Sequence, residues 1–255
     1  MKFRLLLFGL GLVGASAHAQ SQDPPGIMNA PVTQRDYSSL GSNEYANLTD
    51  LTNGANHLLI RRANTTGSPY ADNRWLTAHV TLANKQPLLP MLLKYDVLDR
   101  ALVMRKAAPS QDSVQLNDSK VATFVLDEPA SEQGPARKRV FRRFDEGPAS
   151  WQRDYVEVLH EGQYRLLKHH LKHIKRESFQ GMYSNGAPTD EIEDISEYYL
   201  RTPDGKVASV KLTLKALQSA APALAPALKT AAAAQKPRTE TDWAAVFNAA
   251  DPAAK

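Results

Sequence analysis

The sequence has no cysteine, little net charge and no long apolar segment after its first residues. Without cysteine there is no thiol nucleophile, no disulfide scaffold and no attachment point for an N-terminal lipid anchor. The 31 basic and 27 acidic residues give a net charge of +4, which is too small to indicate nucleic-acid binding. The chain also lacks a Gly-x-Ser-x-Gly motif, so the sequence indicates no nucleophilic catalytic site of that kind.

The first 19 residues have the three parts of a secretory signal peptide. A basic start at Lys2 and Arg4 precedes the apolar run Leu5 to Gly14, and Ala17-His18-Ala19 is a small-x-small cleavage site. The run is shorter than the ~20 residues that span a bilayer, which disfavours a retained anchor. The sequence therefore predicts export to a bacterial periplasm or cell surface, with no membrane-spanning segment in the mature protein. Export also argues against a nucleic-acid partner.

Two hairpins carry the strongest structural signal. Asp154 to Lys175 contains two runs of β-branched, aromatic and aliphatic residues around a short break at Gly162. Ile195 to Arg201 and Lys206 to Thr213 flank Pro203-Asp204-Gly205, in which the proline presets a turn and the glycine tolerates positive φ. Strands joined by short links predict an antiparallel meander or barrel-like sheet rather than alternating βαβ units.

The remaining patterns divide the mature chain into three parts. Residues 20–56 are predicted to be an extended or disordered leader, residues 57–213 an antiparallel β domain, and residues 214–255 a C-terminal helical segment. The acidic cluster at 190–194 is predicted to be a solvated turn, with calcium binding as the alternative. Further strands are predicted at 57–63, 77–82, 88–95, 101–105, 114–116, 121–126 and 139–144.

After Thr213 the apolar spacing becomes helical, with Pro222 and Pro226 expected to interrupt the first helix. Thr239 and Asp242 resemble a capping box and start a second helix that carries Trp243 and other apolar residues at helical spacing. We expect these helices to pack on the sheet; the alternative is a mobile tail after residue 237.

Several short motifs follow one another along the chain before its helical end. They are Gly67-Ser68-Pro69-Tyr70, Trp75, Val80-Thr81-Leu82, Leu92-Leu93-Lys94-Tyr95-Asp96, the run Tyr155 to Lys168, Tyr198-Tyr199-Leu200 and Pro203-Asp204-Gly205. Together they resemble a family of exported, functionally uncharacterised β-rich proteins of Bacteroidota. The resemblance covers the chain from about residue 55 onward. It implies a location in the bacterial envelope and supplies no catalytic residue.

A basic run around residues 137–144 is the candidate binding site. Arg139, Phe141, Arg142 and Arg143 combine guanidinium groups with an aromatic ring, which suits an anionic glycan, lipopolysaccharide phosphates or a membrane surface. The preferred interpretation of the run is an edge strand that its charges keep from aggregating, with ligand binding as the alternative. Six aromatic residues spread over the sheet could stack on sugars or fill the core: Tyr70, Trp75, Tyr95, Trp151, Tyr155 and Tyr198.

The histidine cluster of the long hairpin is a weak metal candidate. His169 and His173 would stand one turn apart on a helix and could reach one ion. The run contains no carboxylate or cysteine and several lysines, so a solvated basic strand is the preferred interpretation. No metal or other cofactor is predicted.

These patterns predict an exported, non-catalytic envelope or binding protein, whose partner is an envelope protein or an anionic glycan. Two alternatives stay open. A hydrolase of envelope glycans or peptides would need convergent carboxylates or a Ser-His pair in a pocket. A small-ligand carrier would need a barrel with an apolar interior.

Overall fold

The computed structural model describes residues 65–105, 112–132, 134–176 and 190–251, together with Leu48, Leu51 and Thr52. The protein is mainly β, with one large mixed sheet followed by C-terminal helices. The strands are β1 (Thr65–Thr66), β2 (Leu76–Leu82), β3 (Met91–Asp96), β4 (Ala101–Arg105), β5 (Ser113–Gln115), β6 (Val121–Glu128), β7 (Arg137–Arg143), β8 (Tyr155–Glu161), β9 (Arg165–Lys175), β10 (Asp190–Arg201) and β11 (Val207–Val210). The helices are α1 (Leu214–Ala220), α2 (Ala225–Gln235) and α3 (Glu240–Ala250).

The 11 strands lie in the order β1-β10-β9-β8-β7-β6-β2-β3-β4-β5, with β11 also paired to β10. They form two meanders, β2 to β5 and β6 to β11, and the chain crosses over after β5 so that β6 pairs with β2. All the pairs are antiparallel except β1 with β10. The two predicted hairpins are confirmed as β8–β9 and β10–β11. Gly205 has φ 88° in the second turn, the conformation for which a glycine is needed.

Residues 65–75, which we call the strap, show that the sheet is strongly curved. Gly67 lies so close to β10 that a Cβ there would stand 2.6 Å from the Ile192 carbonyl oxygen. Two residues later, the Pro69 carbonyl accepts a hydrogen bond of 2.9 Å from Val97, directly after β3. On a flat sheet β10 and β3 would be about 29 Å apart, at ~4.8 Å per strand, whereas two residues span at most about 7 Å. The sheet must therefore roll up to bring these strands together.

The inner face of β2 to β8 carries one apolar core. Buried and half-buried residues alternate along β2, the pattern expected of a strand with one face in a core. Four rings form its centre: Tyr95, Phe124, Phe141 and Tyr155. Phe124 and Phe141 stack with centroids 4.7 Å apart, and Tyr95 meets Tyr155 edge to face at 5.5 Å. This geometry adds directional attraction to the burial of apolar area.

The C-terminal helices cover a second core at the other end of the inner face, as predicted. Leu217, Leu228 and Phe247, one from each helix, pack with Leu166 of β9 and Leu200 of β10. Pro222 and Pro226 lie between and at the start of the helical segments, as expected. Thr239 and Asp242 form a complete capping box at α3. The alternative of a mobile tail is wrong for α3, because Trp243, Val246 and Phe247 are buried.

A third apolar cluster lies on the outer face, where the chain between β7 and β8 folds back over the sheet. It contains Phe144, Val156, Leu167 and Tyr199, with Trp151 packed against them. The outer face is therefore covered on this side of the sheet.

Three expectations are corrected by the structure. The acidic cluster is not a turn, because β10 already begins at Asp190. The basic run is not an edge strand, since β7 pairs with β6 and β8 on its two sides. The predicted leader is not extended throughout, because Leu48 and Leu51 are helical and Leu51 is fully buried in the first core. The sequence has few aliphatic residues in this region. Leu48 and Leu51, however, are three positions apart, so they lie on one face of a helix and can pack together against the first core.

The predicted strand at 57–63, the signal peptide at 1–19 and residues 20–47 of the leader lie outside the described residues. Within the described residues, no helix is both long enough and apolar enough to cross a membrane.

Candidate functional site

The predicted binding residue Arg139 lies inside the protein, between the two inner cores. Its side chain is 6% exposed and forms a bidentate pair with Glu157 on the neighbouring strand, with both N···O distances 2.8 Å. A third contact of 3.2 Å joins Arg139 to Asp72 of the strap. Strand alternation places Arg139 on the same face as Phe141, so its position follows from the register of β7. The guanidinium is thus engaged by two carboxylates and connects β7, β8 and the strap.

His170 completes this buried network from the next strand. Its Nε2 lies 2.8 Å from Glu157 Oε2. Burial lowers the pKa of His170, although the carboxylate beside it opposes the shift. Burial raises the pKa of Glu157, but the hydrogen bonds from Arg139 outweigh this effect and hold that pKa well below its usual range. Near neutral pH, a neutral imidazole therefore donates its Nε2 hydrogen to an ionised carboxylate.

We expect His170 to make folding stability fall as the pH drops below about 6.5. Its pKa is lower in the folded than in the unfolded protein, so the unfolded chain binds the additional proton in this window. The stabilisation is complete above the unfolded pKa and is lost on acidification, at up to about 1 kcal/mol per pH unit. Burial is the main cause of the lowered pKa, and of the charged groups that face the imidazole Glu157 opposes the shift whereas Lys168 and Arg139 add to it.

Urea unfolding between pH 7.5 and 5.0 measures the effect, with His170→Gln as the comparison, because its amide can still donate to Glu157. The free energy of unfolding should fall less steeply with acidification in the variant. Parallel profiles for the two proteins would show that His170 does not titrate in this way.

The other predicted binding residues are also engaged by the protein. Phe141 is fully buried in the first core. Arg142 forms a bidentate pair of 2.7 Å with Glu146. Arg143 lies over the Tyr155 ring, 4.0 Å from its centroid, and donates to the backbone oxygens of Asp118 and Arg153. Ligand binding by this run stays a prediction, but the structure assigns each of the four side chains an internal role.

The histidine candidates do not come together. The strand prediction for β9 is confirmed, and residues four apart on a strand are about 13 Å apart. His169 and His173 therefore cannot share one ion. The preferred interpretation of a solvated strand is wrong for His169 and His170, which are both buried. Both faces of β9 are covered here, the outer face by Phe144 and Trp151 and the inner face by the network with Glu157. In the described residues no group of three or more His, Asp or Glu side chains is placed to hold a metal.

His169 instead forms a buried pair with Asp154 on the outer face. Its Nε2 lies 3.0 Å from Asp154 Oδ2, and the ring is surrounded by Phe144, Trp151 and Tyr199. Arg100 Nε lies 3.1 Å from the other carboxylate oxygen of Asp154. The pair holds the covering segment of the third cluster against β9.

Six carboxyl groups in the described residues have a displaced pKa, and all six are displaced downward: Asp72, Glu128, Glu146, Glu157, Asp204 and Asp242. Arginine or backbone hydrogen bonds are prominent among the causes. A hydrolase that protonates its leaving group needs the opposite, a carboxyl whose pKa is raised. These six groups are therefore suited to ion pairing and capping rather than to acid catalysis.

A different group of residues faces outward beside β3: Tyr70, Trp75 and Lys94, which we call the outer cluster. Leu93 and Tyr95 point into the first core, so the intervening Lys94 points to the other face of the sheet. Leu76 is paired with Leu93, which places Trp75 opposite Lys94 when the register is continued by one residue. Tyr70 bridges to Asp96, two residues further along β3. Register alone thus brings the three side chains together.

The Lys94 ammonium lies over both rings of the outer cluster. Its Nζ is 4.6 Å from the Tyr70 centroid and 4.9 Å from the Trp75 centroid. The guanidinium of Arg105 also lies near the Trp75 ring, at 5.7 Å from its centroid. Burial lowers the pKa of Lys94 below its usual value, and Arg105 adds to this, whereas Asp72 opposes it. The ammonium is therefore partly desolvated and incompletely balanced by negative charge.

Tyr70 and Trp75 are two of the six aromatic residues that were predicted either to stack on sugars or to fill the core. In the structure these two residues lie apart from the other four. Tyr95 and Tyr155 are in the core, Trp151 and Tyr198 belong to the other apolar clusters, and only Tyr70 and Trp75 contact Lys94. The sequence signal that could have revealed this group was the alternation in Leu92-Leu93-Lys94-Tyr95, which places one cation on the face opposite two core residues.

Comparisons with protein families, with curated proteins and with solved structures found no match to this chain. The resemblance to exported proteins of Bacteroidota therefore stays a prediction.

Proposed function

We propose that this protein is an exported, non-catalytic component of a bacterial envelope, in the periplasm or at the cell surface, which binds a ligand through the outer cluster. The N-terminal sequence pattern supports export, and the β-rich fold is compatible with an envelope protein that has no disulfides.

One observation carries the binding proposal: the outer cluster differs in its charge balance from the interior. The buried guanidinium of Arg139 is matched by Glu157 and Asp72. By contrast, within the described residues no carboxylate lies at ion-pair distance from Lys94, and the ammonium is held between two rings. At a half-buried cation with no carboxylate at ion-pair distance, an anionic ligand gains more than it would in water. The cluster is suited to binding rather than to turnover.

The two alternatives find less support. Acid catalysis by a hydrolase needs a carboxyl whose pKa is raised, and none of the six described carboxyl groups with a displaced pKa has one. A carrier of apolar ligands is disfavoured because the inner face of the sheet holds the ion pairs of Arg139, Glu157 and His170 between its two cores.

Affinity capture tests the proposed function. The mature protein is immobilised and exposed to the envelope fraction of the bacterium that encodes it, and retained proteins and glycans are identified. We expect at least one to be retained reproducibly. Lys94→Met should release it, whereas Lys138→Met, which removes an exposed lysine of β7, should not.

Two results would contradict the proposal: no retained material with the wild-type protein, or turnover of envelope glycan or peptide by the purified protein.

A further inference from the structure

The outer cluster presents three hydrogen-bond donors that the described residues do not satisfy. These are the Lys94 ammonium, the Trp75 indole N–H and the Tyr70 hydroxyl, and within the described part of the chain none of them has an acceptor. The Tyr70 phenol keeps its proton at neutral pH, because burial raises its pKa and the nearby Asp96 and Asp99 raise it further. All three residues are half-buried, so water reaches them. A fitting ligand must supply several acceptors at close spacing.

The charge of the site defines the ligand further. Within the described residues Lys94 has no carboxylate at ion-pair distance, although Asp72 lies near enough to favour its charged form. A negatively charged acceptor would therefore form a charge-assisted hydrogen bond with this ammonium. A carboxylate beside several hydroxyl groups meets both requirements, since it provides charge and further acceptors on one small unit.

The surroundings of the cluster argue against a lipid surface or an extended peptide. Ile195 on β10 is the exposed large apolar side chain of the described residues, and it is not part of the cluster, so only the half-buried rings of Trp75 and Tyr70 could contact a membrane there. β3 lies between β2 and β4, and its backbone is therefore not a free edge to which a peptide could add as a strand.

We propose that the outer cluster binds a carboxylate-bearing sugar unit, so that the ligand of this protein is an acidic polysaccharide. The carboxylate accepts from Lys94, and hydroxyl groups of the sugar accept from Trp75 and Tyr70. This inference rests on the proposed binding function and specifies its ligand class.

The test uses the mature protein and polygalacturonate as the probe, with binding followed by tryptophan fluorescence and calorimetry at low and high salt. The matched control ligand is the same polymer after chemical reduction of its carboxylates to alcohols. The matched control protein is Lys138→Met. A phosphorylated dextran tests whether a phosphate could replace the carboxylate.

We expect wild-type protein to bind polygalacturonate and to bind the reduced polymer at least tenfold more weakly, because a charge-assisted hydrogen bond is lost. Lys94→Met should weaken binding of the acidic polymer by a similar factor, and Lys138→Met should leave it unchanged. Added salt should weaken binding as well. Trp75→Phe should remove the fluorescence response, which would place the ligand beside Trp75.

Three results would overturn the inference: equal binding of the acidic and reduced polymers, equal loss in Lys94→Met and Lys138→Met, or tighter binding of phosphorylated dextran than of polygalacturonate. The affinity capture described above separates this failure from failure of the proposed function. If envelope material is retained in a Lys94-dependent way while polygalacturonate does not bind, the binding function stands and the ligand class is wrong.

Discussion

Replacing Arg139 with methionine is expected to lower the free energy of unfolding by about 3–5 kcal/mol, which is the usual cost of removing one partner from a buried ion pair. The reason is the environment of the groups left behind. Glu157 would keep a charge at 2% side-chain exposure, with His170 as its remaining close partner. Asp72 would lose its contact to β7, so the strap would be held less firmly. The midpoint of thermal unfolding should shift downward by about 6–20 °C for a chain of this length.

Arg137→Met provides the matched control on the same strand and face. Arg137 is 32% exposed and pairs with Glu128 at 2.6 Å, and exposed pairs of this kind contribute only about 0–1 kcal/mol. Chemical denaturation of both variants measures the difference. If Arg139→Met were no more destabilising than Arg137→Met, the buried network would not be a principal source of stability.

Replacing Gly162 with alanine is the second substitution for which we expect a large effect. Gly162 lies in the turn between β8 and β9, where the end of α3 docks. An added Cβ would stand 2.6 Å from Asp251 Oδ2, 2.7 Å from His160 Nε2 and 2.8 Å from the Asp251 carbonyl. Asp251 accepts hydrogen bonds there from the Tyr164 backbone N–H at 2.7 Å and contacts His160 at 3.1 Å.

The methyl group cannot be accommodated without moving Asp251, and the contact of α3 with the hairpin would be lost. We expect a loss of about 2–3 kcal/mol, because a buried carboxylate and a buried histidine lose their partners together. Trp243 is 8% exposed, so its fluorescence should shift to longer wavelength as α3 loosens, and proteolysis within α3 should become faster.

Gly134→Ala is the control for the backbone effect of the same substitution, since nothing lies within 4 Å of a Cβ at that position. It should change stability by less than about 1 kcal/mol. An unchanged Trp243 spectrum in Gly162→Ala would mean that the turn yields and that this contact does not hold the helix.

Local patterns predicted the parts of this fold that depend on neighbours in sequence. The β8–β9 hairpin, the turn at Gly205, the interruptions at Pro222 and Pro226, and the capping box at Thr239 are all decided within a few residues. Such features can be recognised from periodicity and turn chemistry because the stabilising contacts lie inside the sequence window.

The buried ion pairs could not be predicted in this way. Arg139 and Glu157 are 18 residues apart, and Arg139 and Asp72 are 67 apart. A run of arginines is usually solvent-exposed, and only the pairing of β7 with β8 turns Arg139 inward. For the same reason Arg139 and Phe141 belong to the interior, whereas Arg142 and Arg143 are half-buried. The outer cluster was missed because its three side chains meet only through strand pairing. The cluster depends on the register between β2 and β3 and on the bridge from Tyr70 to Asp96.

The strap also determines the order in which the protein can fold. Thr66 hydrogen-bonds to Asp190 across a sequence separation of 124 residues, whereas the hairpins join strands that are near neighbours in the chain. Contacts of such separation are slow to form, because the loop entropy is lost before the contact compensates for it. In a chain that emerges from its N-terminus, the strap appears early and its partner strand much later. We therefore expect the hairpins within β2 to β5 and within β6 to β11 to form first, and the contacts of the strap that close the curved sheet to form only after nearly all of its strands are present.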